Sequence, residues 1–124
     1  MNGKSIVGSP RLHAAALMLL LSGAPGCGSG EGGGQATGAV CPSNSTLTYA
    51  NFGEAFFADN CLSCHTSRQR PTLTTQAAIQ ANIDDIDRLA AAGPNSVNTT
   101  MPQQGSVSVE QRTLLGEWLA CGAP

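Results

Sequence analysis

Two thiols and an imidazole stand within five residues, Cys61-Leu62-Ser63-Cys64-His65. Cysteines three apart on a helical turn share one side of it, and the next residue adds a ring nitrogen nearby. Three chemistries use such a thiol pair: tetrahedral zinc, thiol–disulfide exchange, and covalent attachment of a c-type haem. Zinc needs two more ligands, yet Cys41 and Cys121 lie far off without a second Cys-x-x-Cys, and the only other histidine is His13. An exchange pair of the thioredoxin kind wants a preceding strand in a βαβ setting, and no such pattern is visible. The adjoining histidine suits the third chemistry: two sulfurs take the two porphyrin vinyl groups and the imidazole reaches the iron.

The residues before this motif read as export. Residues 1–13 are polar and carry Lys4 and Arg11, Ala14 to Leu21 form an unbroken apolar run, and small residues follow up to Cys27. That order is the one a secretory signal shows, and the run is well short of the roughly 20 apolar residues a membrane span needs. Residues 1–26 are therefore expected to be a signal peptide. Ala24-Pro25-Gly26-Cys27 resembles a bacterial lipobox, which makes Cys27 the expected site of lipidation and places the protein in the periplasm, anchored to a membrane by lipid. Residues 27–40, rich in glycine and poor in apolar side chains, are expected to form a disordered tether. Residues 41–124 are the expected folded domain.

With the signal set aside, one histidine and one methionine remain, His65 and Met101. Met101 lies in a loop, is followed by Pro102, and is the one other strong neutral ligand; its thioether is expected on the second face of the iron. The same cut removes Lys4 and Arg11, leaving four arginines against eight acids, a net charge of minus four with no lysine. Phosphate-backbone binding runs on cationic side chains, so no nucleic-acid partner is expected.

Three helices must position these groups. The spacing of Tyr49, Phe52, Phe56 and Phe57 predicts one over residues 49–61, with Thr48 as N-cap. Ile79, Ile83, Ile86 and Leu89 predict a second over 76–92, capped by Thr75 and stopped by Gly93-Pro94. Leu114, Leu115, Trp118 and Leu119 predict a third over 109–120, where Ser108 and Gln111 have capping-box spacing. No strand alternation is legible, so the fold class is all-α. Five aromatics and few long aliphatics make a thin core, which small chains supplement with a staple or a cofactor.

From about residue 46 to the end, the chain resembles a class I-type monohaem cytochrome c domain of the short bacterial lipoprotein kind. The residues that carry the likeness are Phe52 to Phe57, Cys61 to His65, Thr100-Met101-Pro102, and Leu115 to Pro124 with Trp118. The resemblance implies a small fold of three main helices around one covalent haem c, held by Cys61, Cys64, His65 and Met101, with His65 and Met101 on the metal. It implies single-electron transfer between a redox donor and an acceptor rather than an enzyme. It also implies a close crossing of the first and last helices, which Gly53 and Gly116 would permit, and a proline carbonyl, here that of Pro71, fixing the proximal histidine. Unlike the mitochondrial type, this chain has no lysine ring for docking acidic partners. Cys41 and Cys121 are then the pair left over, and in an oxidising compartment they are expected to form a disulfide. The rival expectation is a haem enzyme or a gas or peroxide sensor with an open iron site. A module with no cofactor is the third.

Overall fold

The structure, a computed structural model, describes residues 33–124. The expected signal peptide, the lipobox and Cys27 lie outside the described residues. Within them the chain is helical and has no sheet; its one extended pairing is an isolated bridge between Ala92 and Val97. No helix among the described residues is long and apolar enough to cross a membrane.

The first expected helix is divided. A π-helical turn, Tyr49–Gly53, runs directly into α1, Glu54–Asn60. Thr48 caps its start through a capping box with Asn51, whose side chain accepts from the Thr48 N–H at 2.7 Å. A four-residue helix, α2 (Leu62–His65), follows at once, with Cys61 between them.

The second expected helix is also broken. It forms α3 (Gln76–Gln80), capped by Thr75, and α4 (Ile83–Ala90). The break falls at Asn82, whose side-chain amide donates to the Ala78 carbonyl at 2.7 Å and competes with the backbone ladder. The helix stops at Ala90 rather than Ala92, because the next residues pair elsewhere: Ala92 N–H donates to Arg112 O and Asn98 N–H to Ala91 O, each at 2.9 Å. The third helix, α5 (Val109–Ala120), has the expected bounds, and Ser108 and Gln111 close the expected capping box.

The core gathers Phe56 and Phe57 of α1, Leu73, Ile79 of α3, Ile86 of α4, and Leu115, Trp118 and Leu119 of α5. Ring centroids of Phe52, Phe56, Phe57 and Trp118 lie 5.5 to 6.1 Å apart in tilted and edge-on pairs. Gly53 lets the chain pass over Trp118: a Cβ there would stand 2.6 Å from the indole Cζ2. Gly116 serves a different approach from the one expected. It faces the Ala92 carbonyl and the Ala39 side chain, not the first helix.

The expected tether does not extend to residue 40. Thr37 is fully buried, its N–H donates to Asp87 Oδ2 at 2.8 Å, and its hydroxyl donates to Asp87 Oδ1. The Asn98 side-chain amide donates to Gln35 O at 2.7 Å and to Asp87 O at 2.8 Å, tying the same strap to α4. Glycine composition argues for coil only when no polar partner waits for the backbone, and here Asp87, Asn95 and Asn98 supply partners. Cys41 at the end of the strap is joined to Cys121 at the end of α5 by a disulfide, with Cα atoms 4.7 Å apart.

Candidate functional site

Cys61 follows the last residue of α1, and its N–H donates to Phe57 O at 2.9 Å. From there the chain turns once more: Cys64 and His65 donate back to the Cys61 carbonyl at 3.2 and 2.9 Å. The motif is thus one helical turn hung from the aromatic helix. All three of its chemically active residues line the same open cavity.

The imidazole is oriented by the residues after it. His65 Nδ1 lies 2.8 Å from the Pro71 carbonyl, and Leu73 N–H donates to the His65 carbonyl at 2.9 Å. A carbonyl only accepts, so Nδ1 carries the proton and Nε2 keeps the lone pair. Fixing one ring nitrogen in this way is how proteins present the other as a ligand.

Met101 enters the same cavity from the loop between α4 and α5. It is half-buried, and both of its main-chain polar groups are committed: its N–H donates to Leu89 O at 2.8 Å, and its carbonyl accepts from Arg112 Nη1 at 2.6 Å. Between the motif cysteines and Met101 the wall is apolar, built from Phe56, Phe57, Leu73, Ile86 and Leu89. Asn60, Arg70, Asp85 and Gln103 supply polar groups to the lining.

The two motif cysteines differ. Cys61 is a free, partly buried thiol, and desolvation pushes its pKa up to about 12. A thiol so reluctant to ionise is a poor exchange nucleophile, which needs the thiolate. Cys64 is disulfide-bonded. One sulfur cannot serve a disulfide and a thioether together, so these are competing fates for Cys64. Among the described residues no three His, Cys, Asp or Glu side chains come together to hold a metal ion.

Cys61, Cys64, His65 and Met101 are therefore brought to one cavity, and Cys41 and Cys121 to one another at the C-terminal end of α5. Arg112 was not among the residues picked out by their chemistry. The signal was present: Arg112, Leu115 and Leu119 fall at i, i+3 and i+7, which places a charge on the apolar stripe of α5. It is 5 % exposed.

Comparison with models of known protein families, with characterised proteins and with solved structures returns no match to this chain.

Proposed function

We propose that this protein is an exported monohaem c-type cytochrome that carries single electrons between redox partners, with the haem fixed through Cys61 and Cys64 and ligated by His65 and Met101. The observation that carries this reading is the convergence of those four residues on one apolar cavity, with His65 already held in the tautomer a metal ligand needs. The cavity is open at its mouth and walled mainly by apolar side chains, the lining a large flat organic ligand favours. Its donor set also fits: one imidazole nitrogen and one thioether sulfur, both neutral, suit an iron already held in a porphyrin.

Each residue has a separate task. Cys61 and Cys64 anchor the ring edge, which is why their sulfurs need no thiolate once bonded. His65 presents Nε2 while Pro71 holds Nδ1. Met101 supplies a soft donor that favours the ferrous state. Phe56, Phe57, Leu73 and Ile86 exclude water and penalise the extra positive charge of the oxidised state. Held by these residues, a haem would supply a one-electron couple.

The disulfide at Cys64 favours a second reading, a haem-free helical module stapled by its cysteines. The two separate in one experiment: expression in a host with haem-maturation machinery, then a reduced visible spectrum with and without carbon monoxide. A low-spin c-type spectrum unmoved by carbon monoxide supports the electron carrier. Rapid carbon monoxide binding supports a sensor or enzyme with an open site, and a colourless product supports the stapled module.

A further inference from the structure

We propose that Arg112 is the positioning residue for Met101, clamping from α5 the loop that carries the thioether. This rests on the reading of Met101 as a ligand. Its geometric half stands on the fold alone.

The guanidinium of Arg112 is buried and reaches four main-chain carbonyls. Nη1 donates to Ala90 O at 2.7 Å, Asn98 O at 2.8 Å and Met101 O at 2.6 Å, and Nε donates to Val107 O at 3.3 Å. These carbonyls come from the end of α4 and from the middle and end of the loop that follows it. One side chain therefore spans the whole connection between α4 and α5. The grip is mutual, since Arg112 O accepts from Ala92 N–H.

Nη1 has two N–H bonds and shares them among three carbonyls, while Nε, bonded to Val107 O, fixes the plane of the guanidinium; an ammonium has no second nitrogen to fix its approach. Hydrogen bonds from a charged donor are also roughly twice as strong as neutral ones. With Leu89 holding the N–H of Met101 and Arg112 its carbonyl, rotation of the Met101 backbone is blocked on both sides. The side chain is then directed at the cavity instead of out to solvent. Burial opposes the charge of Arg112 and pulls its pKa down, and the carbonyl dipoles offset that cost.

The test uses imidazole, which must displace Met101 to bind the ferric holoprotein. Arg112→Lys keeps the charge and loses the Nε contact to Val107 O and the plane it fixes. It is expected to tighten imidazole binding about tenfold to a hundredfold, the range for loss of a hydrogen bond to a charged group, and to weaken the thioether-to-iron absorption band. A variant that is merely less stable, with imidazole affinity and band unchanged, overturns the proposal. Amide exchange on the unaltered protein gives a reading independent of whether Arg112→Lys folds. The Met101 amide is expected to exchange as slowly as those of Leu115 and Leu119 on α5. Exchange far faster than theirs means the loop opens while Arg112 stays in place, and it too overturns the clamp. That measurement reads in haem-free protein, so absence of haem counts against the cytochrome reading and leaves the clamp decided by exchange.

Discussion

His65 Nδ1 stands 2.8 Å from the carbonyl oxygen of Pro71, six residues along the chain. That contact fixes the tautomer of the neutral ring. In the haem-free chain at alkaline pH, the ring nitrogen shifts of His65 should show protonation at Nδ1. A spectrum dominated by the Nε2-protonated form contradicts the contact.

The proposed function puts Met101 on the iron; it is the one methionine, and His65 the one histidine, among the described residues. Met101→Ala should lower the reduction potential by a sizeable part of the roughly 0.8 V that axial ligands span. It should also let the reduced protein bind carbon monoxide. A titration that returns the parent potential removes Met101 from the iron.

Cys41 and Cys121 close a loop with a sequence separation of 80. Replacing both by serine should lower stability by about 2–5 kcal/mol in urea denaturation, the range for removing a native disulfide. The pair lies outside the cavity lining, so the visible spectrum should stay the same.

Gly53 leaves no room for a methyl group beside Trp118. Gly53→Ala should destabilise by about 1–3 kcal/mol, the cost of forcing extra volume into a packed core. Thermal denaturation followed by helical circular dichroism reads it directly.

Glu110 gives a pH dependence with a definite sign. Its carboxyl is held below the usual carboxylate range by a backbone hydrogen bond at Glu110, then by the Ser108 side chain. A lowered folded value means that the contribution is present above the ordinary carboxylate pKa and is lost as pH falls through the folded one. Ser108→Ala should raise the Glu110 titration midpoint and cost about 1 kcal/mol through the lost N-cap. An NMR titration of both proteins checks the direction.

The parts of this fold that depend on short-range chemistry were legible. Ser108, Gln111 and the apolar run after them fix α5, and Thr75 marks the start of α3 without help from the rest of the chain. What was not legible depends on partners distant in sequence. The break at Asn82 is a contest between one side chain and the helix ladder, which periodicity does not register. The ordering of Thr37 depends on Asp87, fifty residues away, and glycine-rich composition around it pointed the other way. Within the site, Cys61, Cys64, His65 and Met101 could be named from type and spacing. The role of Arg112 could not, because an arginine on a helix is ordinarily a solvated charge and only the three-dimensional loop shows its four carbonyls.

Intact mass after expression in a haem-competent host tests covalent attachment most directly. A chain heavier by one haem, with the added mass retained through denaturation and the peptide bearing Cys61 and Cys64 carrying it, is the expected result. A mass explained by polypeptide and disulfides alone, with Cys61 alkylated by a thiol reagent after unfolding, would contradict it.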